Sequence, residues 1–182
     1  MTDSPPTISS RREFSGRIIN VDVDTVRFPD GSQGELEMVR HPGAAAVVPV
    51  LSEGDDPVIL LIRQYRYAAG GPIWEVPAGT LEPGEAPEAC ARRELSEETG
   101  ALAQRFDFLT TIYTTPGFTD ERIHLFSAHE LKIEDHARQA DEFLEVHPHQ
   151  LSRALGMIRD GELRDAKSIC AVLFYAGFRA GL

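Results

Sequence analysis

The segment that decides the fold covers residues 79–101 and reads GTLEPGEAPEACARRELSEETGA. Pro87 suits the first turn of a helix and Gly100 suits a C-terminal cap, so the segment predicts a helix between these residues. On that helix Glu94 and Glu98 are one turn apart and lie on one face. Like charges at this spacing destabilise a helix unless something neutralises them, and carboxylate oxygens are the ligands that Mg²⁺ prefers. The segment therefore predicts a metal site on one helix face.

The spacing of the fixed residues separates this interpretation from a solvated acidic helix face, which a bare Glu-x-x-Glu-Glu pattern would favour. The segment matches Gly-x5-Glu-x7-Arg-Glu-apolar-x-Glu-Glu-x-Gly-apolar at every fixed position. Such a set of matches occurs by chance on the order of 10⁻⁸ per start position. The segment resembles the Nudix box, a loop-helix-loop whose glutamates hold metal against a diphosphate. The resemblance implies that role for Glu94, Glu97 and Glu98.

Other residues of the segment have predicted structural roles. Arg93 can pair with a neighbouring carboxylate and fix its rotamer, while Ala91 and Leu95 point into the core. Cys90, in the predicted helix, is interpreted as a small buried hydrophobe. Together with Cys170 it makes two cysteines in 182 residues, too few for a disulfide framework or a zinc site.

Charge and composition restrict the class of protein. The formal net charge of −11 argues against non-specific binding to nucleic acid, which needs a basic face. Anionic substrates remain compatible with this charge, because bound cations can invert the electrostatics of a site. No apolar run is long enough to span a membrane, and residues 1–6 lack the pattern of a signal peptide. We expect a cytoplasmic protein without nucleic-acid or membrane partners.

Three regions are predicted along the chain: a flexible tail over residues 1–12, an N-terminal β-subdomain over 13–42 and a main domain over 43–182. In the subdomain, alternating apolar residues over 17–28 and a strand over 35–40 flank a turn signal and predict a β-hairpin or small sheet. Alone it would be too small to be stable, so it should pack on the main domain or on a second subunit.

The main domain reads as an α/β (α+β) fold, in which helices cover a mixed sheet. A continuous apolar run over residues 44–51 predicts a strand buried on both faces. Asp165 is a plausible N-cap for the last helix. The further predicted strands cover residues 58–65, 73–76, 106–114, 123–129 and 143–147, and the helices cover 87–100, 150–159 and 165–178.

Outside the box, the chain resembles the ADP-ribose pyrophosphatase branch of the Nudix family from about residue 16 to residue 174. The matching segments are Arg63-Gln64-Tyr65-Arg66, Trp74-Glu75-Val76-Pro77-Ala78-Gly79, Thr115-Pro116-Gly117-Phe118-Thr119-Asp120-Glu121 and Gly161-Glu162-Leu163-Arg164-Asp165-Ala166-Lys167. The resemblance implies a Nudix α/β/α sandwich and an N-terminal sheet swapped across a homodimer. It implies hydrolysis of ADP-ribose to AMP and ribose 5-phosphate, with two or three Mg²⁺ or Mn²⁺ ions.

The resemblance also assigns roles to single residues. The carbonyl of Ala78 would join Glu94 and Glu98 as a metal ligand. Arg66 would contact the diphosphate, which suits a forked guanidinium, although a surface role at a strand end is the alternative. The implied catalytic residues are Glu97, Arg93 and Glu142.

The remaining implied substrate-binding residues form three pairs. Glu82 and Glu85 would complete the site through metal-bound water or Arg93. Gly117 and Glu121, in a loop where Glu121 could instead be a plain surface charge, would face the terminal ribose. The third pair, Ile18 and Glu37 on the N-terminal strands, would approach the adenine.

One departure from the family pattern concerns the general base. Relatives carry a carboxylate-rich loop where this chain reads Arg138-Gln139-Ala140-Asp141-Glu142. Glu142 matches the last acid of that loop and is the candidate general base or further metal ligand, with Asp141 as the second candidate, whereas Ala140 stands where another acid often lies. A metal-bound water, deprotonated by a box or loop glutamate, would attack one phosphorus.

Two alternatives to ADP-ribose hydrolysis stay open. Another nucleoside diphosphate sugar, such as GDP-mannose, could be the substrate. A non-catalytic ADP-ribose sensor is the rival from another class, but such proteins lose box glutamates. Trp74 is interpreted as a core residue and not as a base-stacking platform, and His147 and His149 as residues at a strand end.

Overall fold

The computed structural model describes residues 7–133 and 144–178. The described residues form ten strands and three α-helices. These elements are β1 (Thr7–Ser15), β2 (Asn20–Arg27), β3 (Gln33–Arg40), β4 (Ala44–Ser52), β5 (Val58–Arg66), β6 (Gly71–Glu75), β7 (Ala78–Thr80), α1 (Pro87–Thr99), β8 (Ala101–Tyr113), β9 (Arg122–Ile133), β10 (Leu144–Gln150), α2 (Leu151–Arg159) and α3 (Ala166–Phe178).

The chain divides into two compact units. The N-terminal unit consists of Met1–Gly43 and Tyr113–Arg122, and the main unit consists of Ala44–Ile112 and Ile123–Leu182. From the sequence we expected one boundary near residue 43. The structure also places Tyr113–Arg122 in the N-terminal unit, which the sequence did not predict. This segment includes the loop in which Gly117 and Glu121 were predicted as substrate-binding residues.

The N-terminal unit contains a three-stranded antiparallel sheet in the order β1-β2-β3. The expected tail over residues 1–12 is wrong for residues 7–12, because β1 pairs with β2 from Thr7 onward. Every residue of β1 is exposed, so the strand has no buried face that alternation could reveal. Its backbone hydrogen bonds to β2 define it instead.

The buried face of β2 carries charge. The alternating valines predicted this strand, yet its buried residues are Asp22, Asp24 and Val26. Asp22 accepts hydrogen bonds from Arg12 and Arg40, and Asp24 accepts one from Arg40. Buried carboxylates are tolerated when such partners neutralise them. The side chains of β1 and β3 therefore supply the cations that allow β2 to bury its acidic residues.

The main unit is an α/β/α sandwich, which confirms the predicted fold class. Its seven-stranded sheet has the path β10-β5-β4-β9-β8, with β6 paired to β5 and β7 paired to β4. The sheet is mixed, because β4 runs parallel to β9 and antiparallel to β5 and β7.

Strand β4 lies at the centre of this unit, and its alternation builds two cores. Ala46 and Val48 belong to a cluster that includes α2 and α3, whereas Ala45 and Val47 pack in a second cluster with α1. Successive side chains of a strand point to opposite faces, so one strand supplies both cores. The predicted burial on both faces is confirmed over residues 44–50.

The helix ends follow the sequence signals. Pro87 starts α1, and Gly100 caps it in the left-handed region at φ 69°. The side chain of Asp165 accepts the backbone N–H of Ser168 at 3.0 Å, which confirms it as the cap of α3. Among the described residues, no helix is long and apolar enough to cross a membrane.

Candidate active site

Two box carboxylates meet the backbone of β7. The N–H of Ala78 donates to Oε2 of Glu98 at 2.9 Å, and Glu98 is only 5% exposed. At Gly79 a Cβ atom would lie 1.8 Å from Oε1 of Glu94, so only a residue without a side chain leaves room for this carboxylate. Helix α1 therefore brings Glu94 and Glu98 together at two consecutive residues of β7, one of which carries the predicted carbonyl ligand.

The chemistry of this donor set fits a hard divalent cation. Carboxylate and carbonyl oxygens are the ligands that Mg²⁺ and Ca²⁺ take, and Mg²⁺ keeps several waters besides one or two carboxylates. In residues 7–133 and 144–178, no three His, Cys, Asp or Glu side chains are grouped so that they could hold a metal by themselves. A cation at Glu94 and Glu98 would therefore need the Ala78 carbonyl, water or substrate oxygens to complete its coordination.

Arg93 organises the acidic residues around this donor set. Its Nε donates to Glu85 at 3.0 Å, and its Nη1 donates to Glu94 and, at 3.2 Å, to Glu97. Glu85 also accepts the backbone N–H of Glu82 at 2.9 Å. The hydrogen bond from Arg93 is the main reason why the pKa of Glu85 is lowered to about 2. The expected pairing of Arg93 is confirmed, and it ties the loop before α1 to the helix.

The apolar residues of α1 are buried, as predicted. Ala91 and Leu95 are buried in the second core cluster, together with Cys90. Burial raises the pKa of the Cys90 thiol to about 12. A thiol with this pKa is inert at neutral pH, which agrees with its interpretation as a small buried hydrophobe.

Arg66 is held by a residue to which the sequence assigned no role. Its Nε and Nη2 donate to the two carboxylate oxygens of Glu75 at 2.7 and 2.9 Å. Lys167, at the start of α3, also donates to Glu75. Glu75 is 1% exposed, so this carboxylate is buried between two cations. A charged residue inside the apolar stretch 73–76 is the one local signal that could have drawn attention to it.

The loop carrying Gly117 and Glu121 is bound to β3 within the N-terminal unit. The hydroxyl of Thr119 donates to the carbonyl of Val39 at 3.0 Å. Glu121 accepts a hydrogen bond from Thr114 at 2.9 Å, and its other carboxylate oxygen lies 3.3 Å from Nδ1 of His41. Glu121 is therefore a partnered side chain of this loop and not a free surface charge.

The remaining residues predicted to bind substrate lie partly where the sequence placed them and partly elsewhere. Glu37 lies on β3 and is exposed. Ile18 was expected on a strand, but it lies in the connection between β1 and β2, where it is 56% exposed. Gly117 is exposed in its loop. The predicted base Glu142 lies outside the described residues, as do Asp141 and Ala140.

Trp74 and the two histidines form a separate aromatic cluster. Trp74 packs against the core cluster of α2 and α3. His147 and His149 on β10 meet its ring edge-on at centroid distances of 5.1 and 5.2 Å. Their contacts agree with the interpretation of Trp74 as a core residue.

The chain is similar in sequence to known proteins that belong to the family indicated by the box. The model of the NUDIX domain matches residues 40–171. The ADP-ribose pyrophosphatase of Bacillus subtilis (strain 168) is 42% identical over 170 residues, which cover 92% of this chain and 90% of the relative. A GDP-mannose pyrophosphatase of Yersinia enterocolitica is 38% identical over 144 residues, which cover 74% of each chain.

A solved structure shows the same fold. The crystal structure of an ADP compounds hydrolase superimposes with a TM-score of 0.82 at 21% sequence identity, covering 98% of this chain and 96% of that one. At this identity the likeness concerns the fold alone. The match of the NUDIX model and the high coverage of the pyrophosphatase relative, together with the box geometry at β7 and α1, show that the chain belongs to the Nudix hydrolase family.

Proposed function

We propose that this protein hydrolyses the diphosphate bond of ADP-ribose to AMP and ribose 5-phosphate. The observation that carries the proposal is the meeting of Glu94 and Glu98 at Ala78–Gly79, because it assembles oxygen donors next to each other in a member of this family. The high identity and coverage of the Bacillus subtilis ADP-ribose pyrophosphatase support the choice of substrate.

The proposal assigns metal binding and the positioning of acidic side chains to different residues. Ala78, Glu94 and Glu98 would hold Mg²⁺, or Mn²⁺ in its place, with two or three ions per site. When bound, these ions would neutralise the diphosphate and lower the pKa of the attacking water. Arg93 keeps the acidic side chains in place through its contacts to Glu85, Glu94 and Glu97.

Proton transfer and substrate contact involve further residues. Glu97, whose side chain is 37% exposed, and Glu142 are the candidates for accepting a proton from the attacking water. Arg66 would bind the diphosphate through N–H groups that Glu75 does not use. Gly117 and Glu121 would face the terminal ribose, and Ile18 and Glu37 the adenine.

The test of the metal site is the substitution Glu98→Gln, assayed with ADP-ribose across a Mg²⁺ titration. We expect kcat to fall by about two orders of magnitude or more, because cation stabilisation of the transition state contributes several kcal/mol. Glu88→Gln is the matched control, since Glu88 lies on the same helix and pairs with Arg92 on the exposed surface. Full turnover in Glu98→Gln, with the control also active, contradicts the proposed ligand role.

A second candidate substrate is GDP-mannose, which the similarity to the Yersinia enterocolitica enzyme favours. A panel of ADP-ribose, GDP-mannose, NADH and dinucleoside polyphosphates, compared by kcat/KM with Mg²⁺, decides between these substrates. We expect ADP-ribose to give the highest value. Tight binding of ADP-ribose without turnover of any compound would instead favour the sensor.

We also propose that the protein works as a homodimer in the cytoplasm. The N-terminal unit exposes several large apolar side chains, which would form a protein interface where they lie next to one another as a continuous patch. They are Ile8, Phe14, Ile18, Phe28 and Leu36. Both cysteines are free, which fits a reducing compartment. Light scattering coupled to gel filtration tests the oligomeric state, and a monomer at micromolar concentration contradicts the dimer.

A further inference from the structure

A buried charge cluster joins β5, β6 and α3; its members are Arg66, Glu75, Asp165 and Lys167, and we call it the Glu75 cluster. The side chain of Glu75 is 2% exposed, and that of Lys167 is 14% exposed. Lys167 donates to Glu75 and, at 2.9 Å, to Asp165. Taking a carboxylate out of water is costly unless cations and hydrogen bonds compensate for it, and both cations do so here. Because burying the carboxylate of Glu75 is costly, its presence in the cluster suggests a role other than keeping the surface soluble.

The geometry of the Arg66–Glu75 pair leaves part of the guanidinium available. Nε and Nη2 each donate to one oxygen of Glu75. A guanidinium has five N–H donors, so both donors of Nη1 and one of Nη2 are not used by Glu75. The side chain of Arg66 remains 41% exposed. A guanidinium that is held at two of its donors, and whose other donors have no hydrogen-bond partner within residues 7–133 and 144–178, is suited to bind an anion bidentately.

The electrostatic surroundings connect Arg66 to the box. The hydrogen bonds of Glu75 are the largest influence that raises the pKa of Arg66, and the charge of Glu98 also raises it. Burial alone would raise the pKa of Glu75, but Arg66 and Lys167 outweigh it and lower that pKa. Glu75 is thus ionised at neutral pH, and its carboxylate binds both Arg66 and Lys167.

The backbone next to Glu75 is anchored as well. The N–H of Val76 donates to Oγ of Ser168 at 2.8 Å, and Ser168 is fully buried. Lys167 and Ser168 are consecutive residues of α3. They bind Glu75, the last residue of β6, and Val76, the residue that follows it. The position of the Glu75 carboxylate is therefore determined by both its side-chain and its backbone contacts.

We infer that Glu75 is a positioning residue for the substrate diphosphate, which it serves by fixing the guanidinium of Arg66 in one orientation with its unused donors available. The inference rests on the proposed contact between Arg66 and the diphosphate. A purely structural ion pair is the competing explanation, and it predicts a loss of stability without a specific loss of diphosphate binding.

A double-mutant cycle separates the two explanations. The variants are Glu75→Gln, Arg66→Ala and the double substitution, and the readouts are KM and kcat for ADP-ribose, the Kd for ADP by calorimetry, and the melting temperature. Mutation of residues that orient metal ligands costs about 10- to 100-fold in metal affinity or activity, and we take this as the scale for a residue that orients a substrate-binding group. We expect Glu75→Gln to raise KM and the ADP Kd by about 10-fold or more, with a smaller change in kcat.

In the Arg66→Ala background the same substitution should change neither KM nor Kd by more than about twofold, because coupled residues are non-additive. An equal effect in both backgrounds, or no effect in either, overturns the inference. Should Glu75→Gln fail to fold, Glu75→Asp keeps the charge but shortens the side chain, and it should show the same dependence on Arg66.

A matched control and a separate binding readout complete the design. Glu162→Gln removes a glutamate from a surface ion pair with Arg153 at 2.7 Å, and it should leave KM and Kd unchanged. ADP carries a diphosphate, so its Kd does not depend on ADP-ribose being the substrate. Absence of ADP-ribose hydrolysis in the wild type would refute the proposed function alone, whereas additive effects on the ADP Kd would refute the role of Glu75 alone.

Discussion

At Gly79, one added methyl group should reduce catalysis while leaving the fold intact. A Cβ atom there would lie 1.8 Å from Oε1 and 2.1 Å from Cδ of Glu94. Because real Cβ contacts essentially never fall below 3.0 Å, the carboxylate of Glu94 has to retreat by 1.2 Å, from 1.8 to 3.0 Å, in Gly79→Ala. The perturbation therefore acts on a proposed metal ligand, not on the core.

The substitution should lower the catalytic rate strongly and change the stability of the fold only slightly. A displacement of about 1 Å at a catalytic group can cost about 100-fold in rate, which equals about 2.7 kcal/mol in the transition state. The fold should tolerate the change, since the clashing atoms belong to the end of a flexible side chain and Gly79 does not occupy the left-handed region. An alanine at a compatible position even stabilises by about 0.4–1 kcal/mol through the unfolded state.

The assay combines steady-state hydrolysis of ADP-ribose over a Mg²⁺ titration with thermal melting. We expect kcat/KM for Gly79→Ala to fall by about 100-fold and the melting temperature to stay within about 4 °C of the wild type. Gly71→Ala is the control, because nothing lies within 4 Å of its added Cβ on strand β6. Wild-type kcat/KM and Mg²⁺ dependence in Gly79→Ala would refute the reasoning.

Two further predictions concern stability. Arg93 holds the pKa of Glu85 at about 2 instead of the ordinary 4.5, so ionised Glu85 stabilises the fold at neutral pH, and this contribution is lost as the pH falls from 4.5 towards 2. The difference in urea unfolding free energy between wild type and Glu85→Gln should therefore shrink over that range, and a constant difference contradicts this. Ser168→Ala leaves the buried N–H of Val76 without its acceptor and should cost about 1–3 kcal/mol in urea unfolding; an unchanged midpoint contradicts this.

The box could be predicted because its information is local. Helical spacing alone places Glu94 and Glu98 one turn apart, and the structure brings both to β7 as expected. The expected burial of Ala91 and Leu95 is confirmed as well, on the neighbouring part of the same buried side of the helix. The same holds for strand β4, whose continuous apolar run predicted burial on both sides. In these elements each residue's environment follows from its neighbours along the chain.

Several features depended on contacts between different elements and not on the local pattern of one element. Strand β1 has no buried residue, so it exists through its pairing with β2 and carries no periodic signal. The acidic buried face of β2 is stable because Arg12 and Arg40 come from other strands. The loop containing Thr119 belongs with β3 through contacts that span 80 residues.

The sequence by itself placed the box glutamates on one helix face, because helical spacing is a local property, and the resemblance of the whole segment to the Nudix box implied the reaction class. Only the tertiary structure decided how the guanidinium of Arg66 is held. Glu75 and Lys167 are 92 residues apart, and neither carries a local pattern that names the other as its partner. Packing α3 against the end of β6 brings the two together, and burial makes their pairing necessary.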